Sequence, residues 1–260
     1  MCRLFAQRTN LPRGHTIPLC VDRNALRMQS YRHQHGWGIG WYDAKGAQVR
    51  RGILPAHADD AFVRAAGEAC SSLVVGHVRD ASVGAVIEEN THPFLHGAWL
   101  FAHNGTVARF REFSRVRAAI EREIDPDFRS AIAGETDSER CFYLFLTRLS
   151  SRIAKDQRPS LEDIRYALGE TVSTVVALAD LAPAKPSSLN LLVTNGEVLA
   201  ACRLGRLLFT RTDGRGFAVS SEPVGGGLWR EVPEDGFVGI GAELEPVEGP
   251  LWLNGRGKAA

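Results

Sequence analysis

Short apolar runs typical of β-strands occupy both ends of the chain, and longer segments with helical spacing lie between them. The predicted strands are Cys2–Gln7, Gly36–Tyr42, Ser72–Val78, Ala98–Ala102, Leu189–Thr194, Val198–Arg203, Leu207–Thr210 and Phe217–Ser220. The predicted helices are Asp59–Ser71, Arg109–Glu123, Thr136–Ile153 and Leu161–Ala179. Because the strands are grouped and do not alternate regularly with helices, this order favours an α+β fold of packed sheet and helix layers over a series of βαβ units.

Local signals mark where several of these elements begin and end. Thr136-Asp137-Ser138-Glu139 has capping-box spacing before an apolar run, which predicts the start of a helix. Turn residues at Asn195-Gly196, Gly205 and Asp213-Gly214 separate the C-terminal strands and predict hairpins. No linker-like segment interrupts the pattern, so we expect a single domain over residues 1–260.

The composition argues against several classes of protein. Lys and Arg number 31 against 30 Asp and Glu, so the formal net charge of +1 gives no electrostatic footprint for nucleic acid or for an anionic membrane. No stretch approaches the roughly 18–20 apolar residues of a membrane span, and the N-terminus has no signal-peptide core, so we expect a cytoplasmic protein. The five cysteines are odd in number and form no CxxC pair, which predicts neither a disulfide framework nor a thiolate zinc site.

Cys2 differs from the other cysteines because it follows the initiator Met1 directly. A small side chain at this position generally permits removal of the methionine, which leaves a thiol and a free α-amine on one residue. Their unperturbed pKa values, about 8.5 and about 7.7–8.0, are close enough for the amine to serve as general base for the thiol. On position alone, however, an ordinary buried strand residue is the more frequent case.

Six short segments of the chain match one family in order and at plausible spacings. They are Met1–Leu4, Gly36–Tyr42, Gly76–Ser82, Glu89–Phe94, His103–Gly105 and Gly134–Glu139. On these segments the chain resembles the class II glutamine amidotransferases, whose catalytic cysteine is the first residue of the mature protein. The resemblance implies a four-layer αββα sandwich of the N-terminal nucleophile hydrolase type, with two antiparallel sheets between helices.

The same resemblance implies roles for six positions. Cys2 would be the nucleophile. Asn104 and Gly105 would stabilise the oxyanion, through an amide side chain and through a backbone N–H on a tight turn. Arg79 would bind the α-carboxylate of the substrate, with Ser82 near the same carboxylate. Asp137 would bind the α-ammonium group.

Several of these residues also have a purely structural explanation. The Asn104-Gly105 pair is a common hairpin turn. Arg79 could pair with the neighbouring Asp80, and a carboxylate such as Asp137 at a helix start complements the helix dipole. These alternatives stay open at the level of the sequence.

Other sequence features are assigned no chemistry. Trp37 and Trp41 are expected to pack in the core. Many stand-alone relatives carry an acidic residue where this chain has His35, so hydrogen bonding around the N-terminus is expected to differ. The eight histidines have no Asp, Glu or Cys partner with convincing ligand spacing, and no metal site is predicted. The segment Ser220–Pro223 is similar to one in small stand-alone relatives and receives no catalytic role.

The implied reaction is hydrolysis of a γ-glutamyl amide, glutamine or a relative of it, through a thioester on Cys2. Glutamate and either ammonia or an amine would be released, with no metal or organic cofactor. Because 260 residues leave no room for a synthase domain, released ammonia would pass to a separate synthase subunit. Alternatively, the chain is a γ-glutamyl amidohydrolase similar to that of ergothioneine synthesis, or a catalytically idle homologue that binds or regulates a partner.

Overall fold

The computed structural model describes residues 2–154, 157–181, 185–214 and 216–253. The strands in this part of the chain are β1 Arg3–Gly14, β2 Trp37–Asp43, β3 Gly46–Gly52, β4 Cys70–Val78, β5 Phe94–His96, β6 Trp99–Thr106, β7 Ser188–Thr194, β8 Leu199–Cys202, β9 Phe209–Asp213, β10 Gly216–Ser220, β11 Arg230–Glu231, β12 Gly236–Ile240 and β13 Pro246–Pro250. The α-helices are α1 Leu26–Gln29, α2 Asp60–Glu68, α3 Ser114–Arg122, α4 Pro126–Arg129, α5 Asp137–Ser150 and α6 Leu161–Ala179. Among these described residues, no helix is long and apolar enough to cross a membrane.

The strands form two antiparallel sheets that pack face to face. Their strand orders are β11-β9-β10-β1-β4-β2-β3 in the first sheet and β13-β12-β8-β7-β6-β5 in the second. Successive side chains of a strand point to opposite faces, and β1 shows the result. Leu4 and Ala6 pack between the sheets with Leu100 and Leu192 of the second sheet, whereas Phe5 belongs to the cluster on the outer face.

Helices cover the outer face of each sheet. On the first sheet, the apolar face of α2 and the short α1 pack over a cluster that includes Phe5, Leu26, Trp37, Ile39 and Phe62. On the second sheet, α3, α5 and α6 pack over a larger cluster that includes Phe101, Leu191, Val193, Phe142, Phe145, Leu168 and Val172. The predicted four-layer αββα sandwich is therefore confirmed.

Strand β1 runs through the interior of the first sheet, between β10 and β4. In its antiparallel pairing with β4, Arg3 lies opposite Val78 and Leu4 lies opposite His77. The start of the chain therefore lies beside the residues that follow β4, which are Arg79 and the loop after it. This register brings two of the sequence segments together at one end of the sandwich.

Helix starts that carry capping signals lie where the sequence predicts them. Thr136 Oγ1 accepts a hydrogen bond from the Glu139 N–H at 3.2 Å, and α5 begins at Asp137, directly after Thr136. Ser160 and Asp163 form a reciprocal capping box at the start of α6. Trp37 and Trp41 are both buried, as expected.

The helix predicted over Arg109–Glu123 is wrong at its N-terminal end. Arg109 has a φ of +62°, which an α-helix does not allow, and the helix begins only at Ser114. Phe113, which falls inside the predicted helix, precedes the observed one and is 39% exposed. Its ring lies 4.7 Å from the guanidinium carbon of Arg109, so it covers a cation at the surface and does not enter the core.

Two predicted turns are also wrong. Asn104 and Gly105 are not in a tight turn, because β6 continues through them and pairs them with Asn190 and Leu189 of β7. Gly205 does not close a hairpin, since β8 belongs to the second sheet and β9 to the first, so the chain crosses between the sheets there. The Asn195-Gly196 hairpin between β7 and β8 is confirmed.

Candidate active site

The thiol of Cys2 lies at the start of β1 and contacts the backbone of the residue two positions beyond β4. The N–H of Asp80 donates to Cys2 Sγ at 3.4 Å, and the carbonyl oxygen of Asp80 lies 3.6 Å from the same sulfur. Burial raises the pKa of the Cys2 thiol, and the hydrogen bond from Asp80 offsets part of this effect. Because the thiolate is the nucleophilic form, a thiol in this setting needs a base close to it.

Asn104 projects from β6 near the first residues of β1. Its side chain is 4% exposed, and Nδ2 donates to Ser221 Oγ at 2.9 Å. The same oxygen accepts the Leu4 N–H at 3.1 Å, so one hydroxyl connects Asn104 to the strand that carries Cys2. Asn104 Oδ1 is buried and has no hydrogen-bond partner within the described ranges.

Gly105 follows Asn104 at a point where the backbones of β6 and β7 are in close contact. A Cβ on this residue would run into the Ser188 carbonyl oxygen and the ring of His103. A larger residue would therefore force β6 away from β7 and displace the Gly105 N–H. The structure thus explains a glycine here by close packing rather than by the turn that the sequence suggested.

Arg79 is buried just beyond the end of β4. Its guanidinium donates to the carbonyl oxygens of Val83 at 2.9 Å, Gly84 at 3.3 Å and Ala85 at 2.8 Å. Burial lowers the pKa of Arg79, while the nearby charges of Cys2 and Asp137 oppose that shift. Within the described chain, these contacts replace the salt bridge to Asp80 that the sequence left open.

Asp137 is the first residue of α5 and is 4% exposed. Its Oδ2 accepts the Val107 N–H at 2.7 Å and its Oδ1 accepts the Ser138 N–H at 2.9 Å. The carboxylate therefore joins the start of the helix to the segment that follows β6. Burial lowers the pKa of Arg79 and the negative charge of Asp137 opposes that shift, so the two residues expected to bind the head group of the substrate interact electrostatically.

Two further residues border this region. Ser82 is exposed, and its Oγ lies 3.3 Å from Thr106 Oγ1, next to Gly105. His35 Nδ1 accepts the Ala81 N–H at 3.0 Å, and the His35 N–H donates to the Arg79 carbonyl at 3.0 Å. His35 therefore supports the loop that contacts Cys2.

Three histidines close to these residues are buried: His77 in β4, His92 before β5 and His103 in β6. The rings of His77 and His92 are 4.3 Å apart, and burial lowers the pKa of His77 to about 3 and that of His92 well below its ordinary value. His103 is held by Ser138 Oγ at 2.9 Å and by the Ser188 carbonyl at 3.0 Å. In the described part of the protein, no group of three or more His, Cys, Asp or Glu side chains is placed to hold a metal ion.

A surface groove of about 830 Å³ lies on the other side of the N-terminal strand. Its lining includes Arg3, Arg23, Tyr31, Arg32, His33 and Glu222. Arg3 donates to the Cys2 carbonyl at 3.1 Å and forms an ion pair with Glu222 at 2.6 Å, so the groove lies beside the backbone at the start of β1. Burial, together with the charge of Arg3, lowers the pKa of His33 to about 4, which keeps its ring neutral at pH 7.

Two parts of this arrangement were not predicted. One is Ser221, which connects Asn104 to Leu4, although the sequence analysis had singled out its segment. The other is the use of the residue 83–85 carbonyls to hold Arg79, for which the sequence carries no signal.

Comparison with known proteins identifies the family. Residues 1–214 match the model of the class II glutamine amidotransferases, so the chain belongs to this family. A Mycobacterium tuberculosis protein named gamma-glutamyl-hercynylcysteine sulfoxide hydrolase is 30% identical over 227 residues, which are 83% of this chain and 82% of that protein.

Two further likenesses agree with this assignment. A Saccharomyces cerevisiae protein named "Probable glutamine amidotransferase DUG3" is 29% identical over 206 residues; the match covers 72% of this chain but only 56% of that protein. A solved class II glutamine aminotransferase domain protein of Silicibacter pomeroyi superimposes with a TM-score of 0.70 at 26% identity, over 96% of this chain and all of that one.

Proposed function

We propose that this chain hydrolyses the side-chain amide of a γ-glutamyl substrate, with Cys2 as the nucleophile after removal of Met1. The observation that carries the proposal is the convergence of four separate segments around the Cys2 thiol. The loop after β4 contacts the sulfur directly, through the Asp80 N–H. Asn104 of β6 connects to β1, the strand that follows Cys2, through Ser221. Burial lowers the pKa of Arg79, and the charges of Cys2 and Asp137 both oppose that shift.

The reaction would proceed through two acyl-transfer steps. The free α-amine of Cys2 takes the thiol proton, and the thiolate attacks the amide carbon. Asn104 and the Gly105 N–H donate hydrogen bonds to the resulting oxyanion. The C–N bond then breaks, the amine leaves with the proton, and water hydrolyses the thioester to release glutamate and restore the thiol.

The head of the substrate would be held by two opposite charges. A guanidinium has five N–H donors, and the three loop carbonyls account for three of them, which leaves donors of Arg79 for an α-carboxylate. Each carboxylate oxygen accepts more than one hydrogen bond, so Asp137 can bind an α-ammonium group while it holds two backbone N–H groups. Ser82 would contribute a hydroxyl near the carboxylate.

The groove beside Arg3 favours a leaving amine larger than ammonia. Release of ammonia needs no binding surface, whereas a substituent on the amide nitrogen needs one, and the lining of the groove includes Arg3, which follows Cys2 in the chain. The exposed Arg23 and Arg32 suit a substituent that ends in an anionic group. The name of the mycobacterial relative, a γ-glutamyl hydrolase, supports the same choice.

This assignment makes the chain an amidohydrolase that works without a synthase subunit, as a single catalytic domain and without a cofactor. The alternative is transfer of ammonia to such a subunit. A cytoplasmic location would suit the five cysteines, all of which are unpaired thiols.

The test compares substrates on natively processed enzyme. Intact mass should show Cys2 at the N-terminus, and a γ-glutamyl dipeptide should be hydrolysed with a kcat/KM about tenfold or more above that of glutamine. Cys2→Ala should abolish both reactions, whereas Cys70→Ala, which changes an exposed thiol, should leave them unchanged. Active enzyme that retains Met1 would exclude the amine as base, and preference for glutamine would favour ammonia transfer.

A further inference from the structure

Ser221 forms a junction between the two sheets at the candidate active site. It directly follows β10 of the first sheet and is 4% exposed. Its N–H donates to the Leu4 carbonyl at 3.0 Å, and its Oγ accepts the Leu4 N–H at 3.1 Å. Across the interface, the same Oγ lies 2.9 Å from Nδ2 of Asn104 in β6. One hydroxyl oxygen therefore contacts both the nucleophile's strand and the expected oxyanion donor.

The hydrogen bonds available to these groups decide which way the Asn104 amide points. A serine hydroxyl has one proton to donate, and Leu4 already donates into the Ser221 oxygen. With Nδ2 toward Ser221, two donors share that oxygen while Asn104 Oδ1 stays buried without a partner among the described residues. Turning the amide by 180° places Oδ1 on the serine proton, which satisfies the hydroxyl and the amide oxygen and leaves the NH₂ group as the end without a protein partner among the described residues.

After this rotation, the Asn104 amide also presents a hydrogen-bond donor where catalysis requires one. Its NH₂ group occupies the position that has no protein partner within the described chain, which is where a donor to a developing oxyanion is needed. We propose that Ser221 is a positioning residue, whose hydroxyl accepts the Leu4 N–H, donates to Asn104 Oδ1 and so directs the Asn104 NH₂ toward the substrate carbonyl oxygen. This inference rests on the proposed function, in which Asn104 stabilises the oxyanion.

The adjacent serine provides a matched control. Ser220 is also buried at the end of β10, and its hydroxyl donates to the Leu4 carbonyl at 3.2 Å, but it has no contact with Asn104. Ser221→Ala should lower kcat by about tenfold to a hundredfold with little change in KM, because the effect lies in the transition state. Ser220→Ala should retain kcat within about threefold, since it loses one hydrogen bond of the same strand and leaves the amide in place.

A double-mutant cycle separates positioning from general damage. In an Asn104→Ala background, Ser221→Ala should cost less than about a further threefold in kcat, because the group that it orients is already absent. If the two losses multiplied, or if Ser221→Ala kept wild-type kcat while Asn104→Ala lost activity, the role of Ser221 would be refuted. If Asn104→Ala itself kept wild-type kcat, the oxyanion assignment in the proposed function would fail first.

An isosteric pair covers the case in which Ser221→Ala does not fold. Ser221→Thr keeps the hydroxyl and Ser221→Val does not, although both add bulk at the same site. Circular dichroism and thermal unfolding should show equal folding of the two variants, and the Thr variant should have a kcat at least about tenfold above that of the Val variant. Equal kcat values would contradict the proposal.

Discussion

Replacing Asp137 with Asn tests the head-group site at the residue whose local contacts are best defined. The carboxylate uses Oδ2 for the Val107 N–H and Oδ1 for the Ser138 N–H. An asparagine of the same shape has only one oxygen, so its NH₂ group must face one of these two backbone donors. The variant therefore loses one buried hydrogen bond as well as the negative charge.

Two separate losses follow from this geometry. A buried N–H left without an acceptor costs about 1–3 kcal/mol, and removal of a favourable charge at a helix N-terminus costs about 0.3–1 kcal/mol, so the free energy of unfolding should fall by a few kcal/mol. A hydrogen bond to a charged group contributes about 1.5–3 kcal/mol. Without the carboxylate partner for the α-ammonium group, kcat/KM should fall roughly tenfold to a hundredfold.

Glu139 offers a control with the same structural defect and no expected contact with substrate. It lies in the same first turn of α5, is 4% exposed, and accepts the Ala133 N–H at 2.9 Å and the Gly134 N–H at 2.8 Å. Glu139→Gln should therefore lose stability to a similar or greater extent, because it too leaves a backbone donor without an acceptor and also loses the ion pair with the buried Arg140. Thermal or urea unfolding of both variants measures this loss in the free energy of unfolding.

The decisive assay compares a free γ-glutamyl amide with its N-acetyl derivative. Wild type and Glu139→Gln should both prefer the free amine by roughly tenfold to a hundredfold. Asp137→Asn should lose most of that preference, since the partner of the ammonium group is gone. If Asp137→Asn kept the wild-type preference, or if wild type cleaved both substrates equally, the carboxylate would serve only the start of the helix.

Three further predictions concern the oxyanion, the thiols and the buried histidines. Asn104→Ala should lower kcat by roughly 10²–10³ in steady-state kinetics and change KM much less; a loss confined to KM would assign it to ground-state binding. A thiol-directed glutamine analogue should label Cys2, as read by peptide mass spectrometry, and spare Cys202, whose pKa burial raises to about 12. His77, whose pKa burial lowers to about 3, takes up its proton only on unfolding between that value and about 6.5, so the free energy of unfolding should fall as pH drops through this range. His77→Leu should reduce that slope in urea titrations by up to about 1.4 kcal/mol per pH unit, and an unchanged slope would count against the buried neutral ring.

The elements that the sequence predicted well are those with both periodicity and a terminal signal. Helices α5 and α6 combine an apolar stripe with a capping residue, and both begin where expected. Strands β3 and β13 were missed because they lie at sheet edges and are largely polar or exposed, so backbone pairing forms them without any apolar pattern. The Asn104-Gly105 pair shows the opposite error, in which a local turn preference yields to pairing with β7.

For the candidate site, the sequence indicates residues whose roles stay predictions, and it does not indicate how these residues are connected. Cys2, Arg79 and Asp137 lie in short segments whose order along the chain is informative. The hydrogen bond between Asn104 and Ser221 joins positions 117 residues apart, and each residue alone resembles many other polar residues in strands. Such a contact exists only once both sheets are packed, which is why the role of Ser221 emerges from the structure.

The interior position of β1 has a consequence for how the enzyme loses activity. A chain terminus is usually the first part of a fold to open, because it has few neighbours. Here Cys2, the proposed nucleophile, directly precedes a strand that is paired on both sides from Phe5 onward, with Phe5 opposite Ser220 of β10 and Gly76 of β4. Opening of Phe5–Arg8 would require breaking two ladders at once, so the amide protons of these residues should exchange only as slowly as the whole domain unfolds. Heat inactivation should then coincide with global melting and not precede it.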